Sequence, residues 1–258
     1  MERYLFDQAW ERERRRLDTL AAAYDDGTFE RLRRLGIGPG ARCLEVGAGS
    51  GTVARWMRAQ VGDGGAVVAT DIDARFLTGL ATAGLEVRNH DIAADPLEEG
   101  AFDLIHTRAV LQHVPGRDVA LARMVAALAP GGRLLVEDIV MPHPATYPPL
   151  RPWERALAAM EAGLRGAGAD PYVGLQFPSL LAAAGLRDVG CDARVPVMRS
   201  GTPSIEFVSL SIEQVGPRLV QAGALTADDL QAVLAALRGP GYTMTAAIMI
   251  ASWGTSAR

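Results

Sequence analysis

Three closely spaced glycines and a carboxylate near residue 50 have the types and spacing to bind a ligand. In the stretch LEVGAGSGTV, Gly47, Gly49 and Gly51 alternate with other residues. Glu45 stands two positions before the first glycine. Glycine lacks a Cβ atom, so it permits left-handed backbone and the close approach of a ligand. The first N–H groups of a helix that follows point to the same place and favour an anionic group. The spacing therefore predicts a ligand-binding turn.

The chemistry around this turn differs from that of a dinucleotide site. A dinucleotide fingerprint is G-x-G-x-x-G, whereas Thr52 occupies the final position here. Glu45 would repel a pyrophosphate but suits a cationic group, such as the ammonium of an amino acid. Asp71 can accept both ribose hydroxyls, Asp91 can accept from an exocyclic amino group, and Ile92 can lie against an adenine face. Ammonium, ribose and adenine together describe S-adenosylmethionine.

Alternating strand-like and helix-like segments are expected to position these residues. Apolar runs predict strands at 41–46, 66–71, 85–91, 102–107 and 133–139. Helices are predicted at 7–24, 28–35, 52–61, 74–83, 117–128 and 153–165, and a closing strand at 242–253. Alternation of continuous apolar strands with helices favours a parallel sheet that helices cover on both faces. We therefore expect an α/β protein with a doubly wound sheet.

Five stretches in order resemble the class I S-adenosylmethionine-dependent methyltransferases. They are LEVGAGSGTVA (44–54), VVATDID (67–73), NHDI (89–92), FDLIHTRAVLQHV (102–114) and LAPGGRLLVEDI (128–139). The resemblance implies a Rossmann-like, seven-stranded sheet whose last strand, 242–252, runs antiparallel as half of a hairpin, with helical cap segments. Within the family the chain is most similar to bacterial enzymes that methylate small molecules, often in natural-product pathways (secondary metabolism).

The resemblance implies which positions contact S-adenosylmethionine. These are Glu45, Gly47, Ala48, Gly49, Gly51, Asp71, Ile72, Asp91, Ile92, His106 and Arg108. Three alternatives stay open. Asp71 could cap the next helix, with Asp73 as the other candidate, and Asp91 could be a turn residue. His106 and Arg108 could instead contact substrate at the rim, or nothing.

Candidate catalytic residues follow from the needs of methyl transfer. The reaction is an in-line displacement, so alignment and the exclusion of water supply much of the effect. A general base is needed only for an acceptor that is protonated at the working pH. His113 and Glu137 are the candidates, with Asp138 beside the latter, and packing against the cofactor loop is the alternative for His113. Residues 106–108, which follow strand four, are not carboxylates, so we predict no metal.

The chain is expected to divide into a cofactor-binding core and capping segments. We predict an N-terminal helical cap (1–36), the cofactor-binding core (37–141), and a region of substrate-side insertions, lid helices and closing strands of the same sheet (142–258). Candidate substrate residues in the caps are Tyr4, Trp10, His143 and Tyr147. Further aromatic side chains of these segments are Phe6, Trp153, Tyr172 and Phe177. Such aromatic side chains can roof an apolar pocket or merely anchor helices to the core. In the run ERERRRL (11–17), one arginine could turn inward to a ligand carboxylate, or all could form a solvated face.

The composition excludes several classes of protein. The chain contains no lysine, which excludes a Schiff-base lysine, a pyridoxal phosphate anchor and a P-loop. A nicotinamide-dependent oxidoreductase is the less favoured alternative, because it would need a G-x-G-x-x-G fingerprint and a catalytic Tyr-x-x-x-Lys pair or similar, and the chain has no lysine. The formal net charge of −4 argues against nucleic acid as a partner.

Apolar runs and cysteine spacing indicate the cellular compartment. No apolar run approaches the ~20 residues of a membrane helix, and the N-terminus is too charged for a signal peptide. Cys43 and Cys191 form no disulfide framework. We expect a cytoplasmic monomer or homodimer that takes a small-molecule substrate. A protein that binds S-adenosylmethionine without catalysis stays open as an alternative.

Overall fold

A computed structural model describes residues 5–7, 9–141 and 145–257 of the chain. The α-helices of these ranges are α1 Glu13–Arg34, α2 Thr52–Val61, α3 Arg117–Ala127, α4 Arg151–Gly166, α5 Phe177–Ala183, α6 Pro203–Gln221 and α7 Ala227–Arg238. The strands are β1 Arg42–Val46, β2 Ala66–Asp71, β3 Leu85–Asn89, β4 Phe102–Arg108, β5 Leu128–Val140, β6 Thr146–Tyr147, β7 Arg187–Arg194, β8 Val197–Arg199, β9 Thr243–Thr245 and β10 Ile248–Thr255.

The centre of the protein is a seven-stranded sheet with the order β3-β2-β1-β4-β5-β10-β7. Strands β1 to β5 pair in parallel, whereas β10 lies antiparallel between β5 and β7. This arrangement confirms the predicted doubly wound α/β sheet with an antiparallel last strand. The predicted closing strand at 242–252 is wrong in its extent, because the segment divides at Ala246 and Ala247. Its first part, β9, joins β6 and β8 in a separate three-stranded sheet.

Two helix predictions differ from the structure. The predicted helices 7–24 and 28–35 correspond to a single helix, α1, which begins only at Glu13 and continues through Gly27. A Cβ at Gly27 would lie 2.9 Å from an Arg194 guanidinium nitrogen, so close packing uses the missing side chain and outweighs the low helix propensity of glycine. The predicted helix at 74–83 is only a 3-10 turn, Ala74–Leu77, because Gly79 adopts a φ of +83° soon after it.

The cap helices share an apolar cluster of their own beside the sheet. Side chains from α4, α6 and α7 pack together there with Tyr24 of α1; examples are Trp153, Met160, Leu219 and Val233. Two further clusters lie between the sheet and its flanking helices. Among the described helices, none is both long and apolar enough to cross a membrane. The caps are therefore held by burial of apolar surface against one another and against the sheet.

Candidate cofactor and acceptor site

A cavity of about 700 Å³ opens where strands β1, β2 and β4 end. One half is bordered by the glycine turn and by acidic residues at the strand ends, and the other half by apolar side chains of α1, α4 and α6. Clefts at the carboxyl ends of strands are where doubly wound sheets bind ligands. The two halves communicate, so one ligand can present a group to another inside the same enclosure.

The glycine turn after β1 has a backbone that favours glycine at three positions. Gly47, Gly49 and Gly51 have φ values of +71°, +55° and +77°. A Cβ at Gly47 would lie 2.1 Å from a methyl group of Val110, which is closer than any real contact. At Gly49 the nearest atoms would be side-chain carbons of Leu17 at 3.7 and 4.0 Å, so the backbone there borders open cavity. The turn therefore leaves room for a ligand against its backbone.

Asp71, at the end of β2, presents a carboxylate to this cavity. Its Oδ2 accepts the N–H of Gly49 at 2.9 Å, and its Oδ1 accepts the N–H of Asp73 at 3.0 Å. Burial raises the pKa of Asp71, although these backbone N–H groups oppose the shift. Each oxygen keeps acceptor capacity for a ligand hydroxyl. The short helix that follows is capped by Asp73, whose Oδ1 accepts the N–H of Arg75 at 3.2 Å. These two acceptor oxygens fit the two hydroxyls of a ribose.

The other expected contacts come from residues that follow β2 and β3. Asp91 borders the cavity and its Oδ1 also accepts the N–H of Ala93 at 2.8 Å, so it serves a turn as well. Ile72 is 60% exposed and Ile92 is buried, and both line the cavity. Two apolar side chains beside a carboxylate suit a flat heterocycle that carries an amino group. The residues present therefore fit the adenosine portion of S-adenosylmethionine.

Beside the turn lies a buried row of charged side chains from β1, β4 and β5. The two ring nitrogens of His106 lie 2.7 Å from Glu45 Oε2 and 2.9 Å from Glu137 Oε2. Glu137 also accepts the hydroxyl of Thr28 at 2.6 Å and a guanidinium N–H of Arg31 at 2.9 Å. Helix α1 is thus tied to the sheet through the carboxylate of Glu137. Because burial of unpaired charge is costly, this row depends on its pairing.

Two predicted residues of this row have no access to the cavity. His106 was expected to contact the cofactor, but it is completely buried between the two glutamates and does not line the cavity. Glu137 was a candidate base, but its carboxylate lies beneath α1 and is occupied by three donors. Glu45 does line the cavity, as does Arg108, whose guanidinium donates to Asp25. The geometry therefore argues against direct ligand roles for His106 and Glu137.

The apolar half of the cavity is formed by the caps. Its walls include Leu17, Leu20, Trp153, Leu157, Met160, Phe207 and Ile212. A buried ion pair also borders it, in which Arg16 donates to both oxygens of Glu13 at 2.8 and 2.6 Å. The guanidinium carbon of Arg16 lies 4.2 Å from the ring centroid of Phe6, a cation–π contact. One arginine of the charged run does turn inward, and its described partner is a glutamate of its own helix.

His113 is the candidate base that reaches the cavity. Burial, with a smaller contribution from the charge of Arg16, lowers the pKa of His113 to about 3. The imidazole is therefore neutral at physiological pH, and its ring lies edge-on to Phe6 with 6.3 Å between centroids. Asp138 does not line the cavity; its Oδ2 accepts the backbone N–H of Gln112 at 3.0 Å.

The candidate substrate residues are not brought together. Tyr4 and His143 lie outside the described residues. Tyr147, on β6, is 75% exposed. The ring centroid of Trp10 lies 5.8 Å from the guanidinium carbon of Arg12. Neither residue lines the cavity. Of the other aromatic side chains expected to roof the pocket, Phe6 and Trp153 line the cavity, whereas Tyr172 and Phe177 do not. Phe207, which also lines it, could have been found from the amphipathic pattern of α6. Within the described ranges, no group of three His, Cys, Asp or Glu side chains is placed to hold a metal ion.

Comparison with protein families places the site in context. Residues 11–190 match the family model of the methyltransferase domain. The chain is 33% identical over 127 residues to the ubiquinone/menaquinone biosynthesis C-methyltransferase UbiE of Laribacter hongkongensis, covering 47% of this chain and 50% of that protein. It is 30% identical over 180 residues to Methyltransferase str3 of Strobilurus tenacellus, covering 68% of this chain and 62% of that protein.

A solved structure shares the fold at low identity. Phosphoethanolamine N-methyltransferase 2 of Haemonchus contortus, in complex with phosphomonomethylethanolamine and S-adenosylhomocysteine, superposes with a TM-score of 0.61 at 14% identity. The match covers 94% of this chain and 57% of that one. At this identity the likeness concerns the fold alone. The chain spans half to three-fifths of the length of the relatives described here.

Proposed function

The chain belongs to the methyltransferase domain family, and we propose that it transfers a methyl group from S-adenosylmethionine to a small, largely apolar acceptor. The observation that carries this proposal is the continuity of the cavity. The glycine turn and the carboxylates of Glu45 and Asp71 border one half, and apolar side chains of the caps border the other. A methyl donor and an acceptor can therefore meet without leaving the enclosure.

S-adenosylmethionine, when bound, supplies an electrophilic methyl group on a sulfonium. Asp71 would accept the ribose hydroxyls, and the Glu45 carboxylate would face the ammonium group. The backbone at Gly49 would lie against the cofactor, since no side chain stands there. Fixing the donor in this way converts the displacement into a reaction between aligned partners. The apolar walls exclude water from the reacting atoms.

The acceptor half favours a neutral, hydrophobic molecule. Within this half, the charges of Glu13 and Arg16 balance each other in an ion pair. UbiE is named as a C-methyltransferase of ubiquinone and menaquinone biosynthesis. The protein str3 is named as a methyltransferase. An apolar chamber suits an aromatic or otherwise hydrophobic acceptor, methylated at carbon or oxygen. A role in secondary metabolism and a cytoplasmic setting belong to the same proposal. So does the lack of a nucleic acid partner, which the net charge of −4 supports.

The acceptor is proposed to need little help in losing its proton. An efficient general base has a pKa near the working pH, whereas the pKa of His113 is lowered to about 3. His113 would therefore be a poor acceptor of the proton of the substrate. An acidic phenol or an activated carbon acid provides a nucleophile under these conditions, since it ionises readily by itself.

A product assay tests the proposal. The protein is incubated with S-adenosylmethionine and a panel of phenols, stabilised carbon acids and amines, and products are identified by mass spectrometry. We expect one methyl group to be added to an apolar phenol or carbon acid, and Asp71→Asn to reduce that turnover. Binding of NAD without binding of S-adenosylmethionine would contradict the proposal. Cofactor binding without turnover across the panel would favour the non-catalytic alternative.

A further inference from the structure

We propose that His106 is a positioning residue for the cofactor, a buried imidazolium that keeps the Glu45 carboxylate ionised and turned toward the ammonium group of S-adenosylmethionine. His106 itself touches no ligand, because it is fully buried and does not line the cavity. Its effect on the ligand would pass through Glu45, which lines the cavity. This inference rests on the cofactor of the proposed function and not on methyl transfer.

The geometry of the row requires a proton beyond those of a neutral imidazole. A neutral imidazole has one N–H donor and one acceptor nitrogen. Both ring nitrogens of His106 face a carboxylate oxygen, at 2.7 Å from Glu45 and 2.9 Å from Glu137. A neutral ring would set an acceptor nitrogen against an acceptor oxygen on one side. An imidazolium donates to both carboxylates and balances part of their charge.

Glu45 depends on this cation more than Glu137 does. Glu137 accepts two further hydrogen bonds, from Thr28 and Arg31. Among the described residues, the hydrogen-bond partner of the Glu45 carboxylate is His106 alone, through Oε2. The second oxygen of Glu45 is therefore left for a ligand in the cavity. Loss of the imidazolium would remove the donor that orients this carboxylate.

The surrounding charges are consistent with a proton on His106. The charged groups that face the row come from α1, β4 and β7, and they are Asp25, Arg31, Arg108 and Asp192. Burial disfavours the imidazolium, but Glu45 and Glu137 outweigh it and raise the pKa of His106 to about 9. Burial also raises the pKa of Glu45, and His106 opposes that shift. Without His106, the Glu45 carboxyl would therefore tend toward its neutral form.

Two ligands that differ in one group provide the test. S-adenosylhomocysteine carries the ammonium, whereas 5′-methylthioadenosine keeps the adenosine and the thioether and lacks the aminocarboxylate. In His106→Gln, calorimetry should show affinity for S-adenosylhomocysteine reduced by about 10- to 100-fold, the range for a lost hydrogen bond to a charged group. Affinity for 5′-methylthioadenosine should be unchanged. Asp192→Asn, which alters the partly exposed end of the same network, is the matched control. It should leave the affinity for each of the two ligands unchanged.

A structural role for His106 would produce a different result. Equal loss of affinity for both ligands, or no loss for either, would overturn the proposal. If neither ligand binds the wild-type protein, the cofactor assignment fails instead, so the two failures are distinguishable. Should His106→Gln not fold, ¹⁵N NMR of the wild-type imidazole at neutral pH decides the matter. Two protonated ring nitrogens are expected, and a neutral tautomer would overturn the proposal.

Discussion

Replacement of Asp138 by asparagine should remove a loss of stability that the wild-type protein undergoes as the pH rises. Asp138 is 1% exposed, and its Oδ2 accepts the N–H of Gln112 at 3.0 Å. Within the described chain, Oδ1 has no hydrogen-bond partner. Burial outweighs the backbone N–H groups and raises the pKa of Asp138 from 3.8 to about 7. The folded protein therefore holds a proton that the unfolded chain releases at lower pH.

The sign and size of the effect follow from this difference. Between pH 3.8 and 7 the folded state binds more protons than the unfolded state, so stability falls as the pH rises through this window. Each unit corresponds to about 1.4 kcal/mol, so ionisation of Asp138 costs about 4 kcal/mol once it is complete. This is a large fraction of the 5–15 kcal/mol that stabilises a typical domain, roughly stated. Asparagine does not ionise and escapes the whole cost.

Urea denaturation of wild type and Asp138→Asn across pH 4 to 8 measures this cost. The amide nitrogen of asparagine would occupy the unpartnered position, so the variant carries a penalty that is independent of pH. The informative quantity is thus the change in the stability difference with pH, which should favour the variant by about 4 kcal/mol more at pH 8 than at pH 4. Asp63→Asn, at a fully exposed side chain, controls for the loss of one negative charge. Parallel pH profiles for wild type and Asp138→Asn would refute the reasoning.

Four further outcomes are expected. Protonated His106 stabilises the folded state below pH 6.5, and this stabilisation is lost as the pH rises through about 9. The unfolding free energy of the wild type should therefore fall by about 3 kcal/mol over this range in denaturation experiments, whereas that of His106→Gln should not. A flat wild-type profile would contradict this. Asp71→Asn should weaken binding of S-adenosylhomocysteine by about 1.5–3 kcal/mol in calorimetry, and unchanged affinity would exclude a ribose contact. Gly47→Ala should lower the unfolding free energy by about 1–3 kcal/mol more than Gly100→Ala, because both have positive φ but only the former would meet another side chain; equal losses would refute the clash. Phe207→Ala should raise the acceptor KM about tenfold while the cofactor Kd stays unchanged, and a change in both would mean that the wall is shared.

Local sequence patterns predicted the cofactor half of the protein well. The glycine turn, α2 at 52–61 and β2 at 66–71 were all predicted at the bounds that the structure shows. Their signals are local, since positive φ, an apolar strand and an amphipathic helix each depend on neighbours in the chain. The carboxylate of Asp71 follows directly from the end of its strand.

The buried row could not be predicted in the same way. His106 faces Glu45 because β4 pairs with β1, and Glu137 joins them because β5 pairs with β4. Register between strands is set by tertiary packing and is absent from any short window of sequence. The single helix α1 shows the same limit. The predicted gap between residues 24 and 28 contains Gly27, whose packing against Arg194 is a tertiary contact. The assignment of Glu137 as a base was a consequence of this missing information.

The place of β10 within the sheet constrains how the protein is made. Residues 248–255 fill the gap between β5, which ends at Val140, and β7, which ends at Arg194. Until they leave the ribosome, both neighbouring strands present unpaired edges, which are sites of aggregation. Strands β1 to β4 and the glycine turn are synthesised long before, and their hydrogen bonds do not involve β10. The ligand-binding half of the sheet can thus form on the nascent chain. The seven-stranded sheet is complete only after β10 has been synthesised up to residue 255.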